Sequence, residues 1–228
     1  MTRLRAVLLG VAMLLGLVAS APSVPPPVIR TLPNGMRVAV FVRPSLPIVQ
    51  AQLQVPAGLR SEPTGQDGIA YLTAQLMRQG TTSRSGNDLA TELDTLGATL
   101  VTSVYRDVAQ VAVGCRAGEF ESSLEIMSDV VVNPLFSDEA FRDVRRQVAT
   151  ELGQLARSAS ALADERAAAV IFGSHPYSHP TRGTLASLLA AQRDQVRAFH
   201  RDHWRPDAAV LAIAGDIDDR LGRALVLV

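Results

Sequence analysis

Polar and apolar side chains alternate along one early segment and give the first structural signal. Residues 48–55 read IVQAQLQV, so every second side chain falls on one face, which predicts a half-buried strand. Upstream, the dipeptide Asn34-Gly35 separates two short β-prone stretches, residues 28–32 and 36–42. Asn-Gly favours the tight turns of hairpins. Three strands are therefore predicted at the start of the domain.

The period then changes to that of a helix. Ile69, Leu72, Leu76 and Met77 share one helical face, and Gly80 ends the run. Further helices are predicted at residues 87–96, 119–132, 138–156, 162–172 and 194–203, and further strands at residues 98–104, 108–113 and 208–214. Because strands and helices come in runs, we predict an α+β fold, a mixed or mainly antiparallel sheet with helices packed on one face.

Composition narrows the functional classes. The 228 residues contain 22 Lys and Arg against 22 Asp and Glu, without a long run of either sign. This balance speaks against nucleic acid as a partner. Cys115 is the only cysteine, which excludes an internal disulfide and any cysteine-based zinc cage. Proteins or peptides are the expected partners.

The N-terminal residues have the pattern of an export signal. Arg3 and Arg5 precede an apolar run at residues 6–18, and small residues follow it. The run is shorter than the roughly 20 residues that a spanning helix needs, so we predict a signal peptide at residues 1–21. A Pro-rich segment at 22–27 and one domain at 28–228 follow. The protein is expected to be exported, periplasmic or extracellular, and free of the membrane once the signal is removed.

A series of short motifs extends through the predicted mature chain. They are Leu32-Pro33-Asn34-Gly35-Met36, Ala57-Gly58-Leu59-Arg60-Ser61-Glu62, Gly68-Ile69-Ala70, Gly80-Thr81, Gly97-Ala98-Thr99, Phe172-Gly173-Ser174-His175-Pro176-Tyr177, Arg205-Pro206-Asp207 and Gly215-Asp216-Ile217-Asp218. In this order they resemble the N-terminal half of the pitrilysin, insulinase and mitochondrial-processing-peptidase family of zinc metallopeptidases. The resemblance implies the α+β fold of that family's N-terminal domain.

The resemblance also implies where catalytic residues would lie. The family carries an H-x-x-E-H motif on the helix between Gly68 and Gly80, with two zinc-binding histidines and a glutamate that activates water. Here Tyr71, Ala74 and Gln75 stand at those three positions. Alternatively, these three are ordinary residues on a polar helix face. With the family motifs on both sides, we predict that the family zinc is lost, that no cofactor is bound and that the chain is not an enzyme.

Glu151 matches the family's third zinc ligand in spacing and in its place on a long amphipathic helix. One carboxylate cannot hold a zinc that normally needs three protein ligands. Glu151 is therefore either a remnant of the site or a helix-surface carboxylate.

The four histidines are candidates for a replacement metal site. His175 and His179 share a loop, and His200 and His203 lie three residues apart near a helix end. No acidic residue or cysteine is spaced with either pair in the sequence. Solvated or dipole-stabilising roles are therefore favoured over metal binding for the helix-end histidines.

In the family, substrate peptides add as a strand along an edge strand of the sheet. The resemblance places this edge at Ala98, Thr99, Leu100, Val101, Thr102 and Ser103. Strand addition depends on main-chain groups and not on a metal, so peptide binding could outlast the loss of catalysis. The alternative is a protected edge that binds nothing.

These observations predict a non-catalytic insulinase-family protein, a peptide-binding or structural subunit of an exported metallopeptidase assembly. The expected partner is an active family paralogue or a separate second-half chain, since the resemblance covers only the first of the family's two halves. The alternatives are a structural or assembly protein without peptide handling, a truncated fragment of a two-domain protein, and an active zinc endopeptidase, the least favoured.

Overall fold

The computed structural model of the protein describes residues 26–217. The strands are β1 (Val28–Thr31), β2 (Arg37–Val42), β3 (Ile48–Val55), β4 (Thr99–Val104), β5 (Ala109–Arg116) and β6 (Val210–Gly215). The α-helices are α1 (Ile69–Met77), α2 (Gly86–Leu96), α3 (Phe120–Val132), α4 (Asp138–Leu155), α5 (Ala159–Phe172), α6 (Leu185–Ala190) and α7 (Arg193–His203). The predicted signal peptide lies outside the described residues. Within 26–217, no helix combines the length and apolarity needed to cross a membrane.

The six strands form one sheet in the order β1-β2-β6-β3-β5-β4. Every neighbouring pair is antiparallel except β2 and β6, which run parallel. The predicted hairpin is β1 and β2, joined through Gly35 at φ +89°. The α+β prediction with a mainly antiparallel sheet is confirmed.

The two faces of the sheet differ in polarity. On β3, Val49, Ala51, Leu53 and Val55 are buried, whereas the intervening glutamines lie on the other face. There, the side-chain amide of Gln52 donates to Gln110 Oε1 on β5 at 2.8 Å. Because side chains alternate along a strand, the apolar set faces the core, to which α1, α3, α4 and α7 contribute buried residues. The polar face carries the glutamines.

Helix α2 was predicted at residues 87–96 and begins one residue earlier, at Gly86. Ser85 accepts a hydrogen bond from the Asp88 amide, and the Asp88 carboxylate accepts one from the Ser85 amide, which forms a capping box. Gly97 ends the helix with φ +60°. The short helix α6 was not predicted. Its six residues make less than two turns, too few to show a hydrophobic period, and Thr184 and Ser187 form a capping box at its start.

Asp129 on α3 anchors the turn that follows α1. Its carboxylate accepts hydrogen bonds from Thr81 Oγ1, Ser83 Oγ and Arg84 Nη1, each at 2.7 Å. Partial burial acts to raise the pKa of Asp129, but these donors together with Asn133 lower it to about 2. The carboxylate is therefore charged and structural at neutral pH.

Candidate functional site

Helix α1 starts at a buried carboxylate. Glu62 accepts hydrogen bonds from the backbone amides of Gly68 and Ala70, both at 3.0 Å. These are donors that the first turn of a helix leaves without intrahelical partners. The Glu62 side chain is only 1% exposed. Burial raises its pKa to about 8, although the two amides act to lower it.

The window in which the zinc motif was expected, residues 71–75, lies in the middle of α1. Tyr71 and Gln75 are half-buried and lie one turn apart on the same helix face. Ala74 is 1% exposed. The interpretation that all three residues lie on an ordinary polar face therefore fails for Ala74.

Glu151, on α4, meets Tyr71 across the 80 residues that separate them in sequence. The Tyr71 hydroxyl donates to Glu151 Oε2 at 3.0 Å. Gln147, one turn earlier on α4, donates to Glu151 Oε1 at 3.0 Å. Both carboxylate oxygens thus accept a hydrogen bond, and Glu151 lies where its spacing placed it, beside the window.

Arg182 is the third residue of the cluster that contains Tyr71 and Glu151, and it was not predicted from the sequence. Its Nε lies 3.4 Å from Glu151 Oε2, and its guanidinium carbon lies 5.2 Å from the centre of the Tyr71 ring. Burial raises the pKa of Tyr71, Arg182 acts to lower it and Glu151 to raise it further. The phenol is therefore protonated at neutral pH and acts as a donor. Sequence spacing carried no signal for Arg182, because the contact depends on how its loop packs.

Two glycines bring the loop of Arg182 against the start of α1. Gly68 and Gly183 have φ values of +88° and +72°. A Cβ on Gly68 would lie 2.5 Å from the Arg182 carbonyl oxygen, and one on Gly183 would contact the Asp67 carbonyl. Only residues without a Cβ permit this approach. The same packing brings His179 to the acidic residues before α1.

The histidines are not placed as the sequence suggested. His179 Nδ1 lies 3.8 Å from Glu62 Oε2, and its Nε2 lies 3.8 Å from Asp67 Oδ1. Acidic neighbours are thus present, more than a hundred residues upstream. His200 does not have a solvated helix-end role, since its Nε2 lies 2.8 Å from the Val131 carbonyl oxygen. Burial lowers its pKa.

The predicted peptide-binding edge is an outer strand of the sheet. Five of its six residues lie in β4 and Ala98 directly precedes it. Among the described strands, β4 pairs only with β5, in a register that sets Val101 opposite Ala112. Leu100 and Thr102 are buried, while Val101 is 45% exposed. The other main-chain edge of β4 is thus unpaired within residues 26–217.

The family assignment rests on a match over most of the chain. Residues 37–185 match the family model described as Insulinase (Peptidase family M16). Over 188 residues, the chain is 26% identical to an uncharacterized zinc protease of Mycobacterium leprae (strain TN), and the alignment covers 82% of this chain and 42% of that protein.

Solved structures share the fold. The peptidase M16 inactive domain from Pseudomonas fluorescens has a TM-score of 0.82 at 22% identity, with 88% of this chain and 49% of that one covered. The periplasmic protease PqqL from Escherichia coli has a TM-score of 0.80 at 18% identity, with 91% and 24% covered. The chain spans less than half the length of each of these three proteins.

Proposed function

Because the chain belongs to the insulinase family of peptidases, peptidase family M16, we propose that it is a non-catalytic, peptide-binding or structural subunit of an exported metallopeptidase assembly. One observation carries the proposal. Beside the helix window that the resemblance matches to the zinc motif, Glu151 pairs with the Tyr71 hydroxyl and the Arg182 guanidinium.

These side chains do not fit a zinc ion. A protonated phenol is a donor, a buried Ala74 side chain has no base, and Gln75 offers only a neutral amide oxygen. The cationic Arg182 lies 3.4 Å from Glu151 Oε2 and would repel a metal ion bound to that oxygen. No step of water activation can be assigned to this set of residues, so we infer that the chain has no peptidase activity of its own.

Peptide binding is supported by the unpaired main-chain edge of β4. An extended peptide can add to such an edge through main-chain hydrogen bonds, with Val101 and Ser103 on the exposed sheet face. This mode needs neither zinc nor the replaced motif. A subunit of this kind would hold peptides that an active partner cleaves.

A solvent-exposed helix supports the existence of a protein partner. Helix α5 has no buried residue among those described, and Val170 and Ile171 are 84% and 72% exposed. Leu185 and Leu189 on α6 are also exposed, at 52% and 61%. Exposed apolar groups of this kind mark interaction surfaces more often than isolated exposed residues do. We infer a partner of the same family, either an active paralogue or a separate second-half chain.

The activity and binding tests use the purified chain. We expect no cleavage of a mixed fluorogenic peptide library, with or without added zinc, and measurable binding of labelled peptides by fluorescence anisotropy. Val101→Pro should weaken peptide binding, because proline obstructs strand pairing, whereas the matched Val101→Thr variant should bind normally. Thermal unfolding of both variants checks the fold. Chelator-sensitive cleavage would refute the non-catalytic role, and unchanged affinity in folded Val101→Pro would favour a purely structural subunit.

The partner is tested by co-expression with a family protein that carries an intact H-x-x-E-H motif. Val170→Glu combined with Ile171→Glu should abolish co-purification, whereas Val132→Glu, at a 64% exposed site on α3, should not. Retained co-purification in the double variant would exclude α5 as the interface. Cell fractionation tests export, and full-length protein in the cytoplasm would contradict it.

A further inference from the structure

A second cluster of metal-ligating side chains lies at the start of α1, built from residues other than those of the family's zinc position. Glu62, Asp67 and His179 each offer one ligand atom, and the three atoms lie within 4.8 Å of one another. Glu62 and Asp67 precede α1, whereas His179 comes from the loop that Gly68 and Gly183 hold against it. Two carboxylates and an imidazole are thus brought together by tertiary packing alone.

Two carboxyl groups and one imidazole face one another in this cluster. The Glu62 carboxyl is almost fully buried, with 1% of its side chain exposed. Among the described residues, His179 is the only basic side chain within ion-pair distance of either carboxylate. Each Glu62 oxygen accepts one backbone amide, which leaves a second lone pair on each for a metal.

The imidazole provides an independent observation. His179 Nδ1 is buried and has no hydrogen-bond partner among the described residues. Its 3.8 Å separation from Glu62 Oε2 exceeds the length of a hydrogen bond. Two ligands on one tetrahedral ion, at bonds of about 2.0–2.2 Å, lie about 3.4 Å apart. A movement of about 0.4 Å would therefore bring His179 Nδ1 and Glu62 Oε2 to ligand spacing. The Asp67 ligand atom lies within 4.8 Å of both and would have to move further.

We propose that Glu62, Asp67 and His179 bind a divalent transition-metal cation, which fastens the 173–183 loop to the start of α1. An imidazole with two carboxylates suits Zn²⁺ better than Ca²⁺ or Mg²⁺, which prefer all-oxygen sites. Asp67 and His179 are 32% and 21% exposed, so an ion can enter from solvent and keep water as its remaining ligand. The role of this ion is structural.

The test is a titration of the chelator-treated full chain with ZnCl₂ by isothermal titration calorimetry, with CaCl₂ in parallel. We expect one Zn²⁺ per chain and no comparable Ca²⁺ binding. His179→Ala should weaken Zn²⁺ binding by more than the about 10–100-fold that loss of an outer-shell partner costs, and Asp67→Asn should also weaken it. His175→Ala, on the same loop, is the matched control and should bind normally. Circular dichroism confirms that each variant is folded.

Three results would overturn the proposal. They are no Zn²⁺ uptake by the unmodified chain, unchanged uptake in folded His179→Ala, and loss of uptake in Glu151→Gln instead. The first two would leave His179 as a neighbour of the two carboxyl groups and would not affect the proposed function. The third would place a metal at the family position and so refute the non-catalytic role as well.

Discussion

Two substitutions on α1 should restore a zinc site at the family position. Tyr71→His and Gln75→His would place two imidazoles one turn apart on the helix face that already meets Glu151. With Glu151 they make three ligands, the number that a zinc site with one open position needs. Ala74 is left unchanged, because a glutamate at this 1% exposed position would overpack the site at about 1–3 kcal/mol.

Arg182 determines how strongly the restored site should bind zinc. Its Nε lies 3.4 Å from Glu151 Oε2, so the guanidinium would compete with zinc for the Glu151 carboxylate. Two unit charges 4 Å apart interact by about 1 kcal/mol in water and about 4 kcal/mol near a protein surface. Since Arg182 is 43% exposed and can turn away, the lower end applies. Adding Arg182→Gln should strengthen zinc binding by about 1–2 kcal/mol, or about 5–30-fold.

The assay is calorimetric zinc titration in a His179→Ala background, which keeps zinc off the Glu62 cluster. Thermal unfolding provides a second readout, because zinc at a hundred times its Kd should add about 2.7 kcal/mol to stability. We expect no peptidase activity from these variants, since Ala74 still offers no base. If folded Tyr71→His/Gln75→His/Arg182→Gln takes up no zinc, Glu151 does not occupy a third-ligand position. If Arg182→Gln makes no difference, the competition argument is wrong.

Two further predictions concern the stability of the scaffold. The lowered pKa of Asp129 stabilises the fold above its unfolded value of 3.8, and this contribution is lost as pH falls towards about 2. Asp129→Asn should therefore lower the free energy of unfolding in urea by about 2 kcal/mol at pH 7 and by much less at pH 2.5. The control Glu125→Gln, at a 59% exposed side chain, should lower it little. An equal loss of stability at both pH values would refute this prediction. Gly183→Ala should lower the free energy of unfolding by about 2 kcal/mol more than Gly173→Ala. Both glycines have positive φ, but only at Gly183 would an added Cβ contact backbone, at the Asp67 carbonyl. Equal melting temperatures would show that the loop relaxes freely.

The sequence by itself determined most of the helices and strands, but not α6, and it indicated the family. Alternation over residues 48–55 predicted β3 with the bounds that the structure shows, and Asn34-Gly35 predicted the first hairpin. These features are local, because strand faces, tight turns and helix caps depend on residues a few positions apart. The replaced motif at Tyr71, like the family resemblance, could also be read from motif order alone.

Only the tertiary structure decided which distant side chains meet. It placed β6 parallel to β2 between the N-terminal strands, brought Arg182 to Glu151 and Tyr71, and set His179 beside Glu62 and Asp67. Spacing along the chain holds no record of such contacts, since they arise when a loop without periodicity packs on a helix end through Gly68 and Gly183. For that reason the sequence predicted the loss of the zinc ligands. The position of Arg182 beside Glu151, and the cluster of Glu62, Asp67 and His179, became visible only in the folded chain.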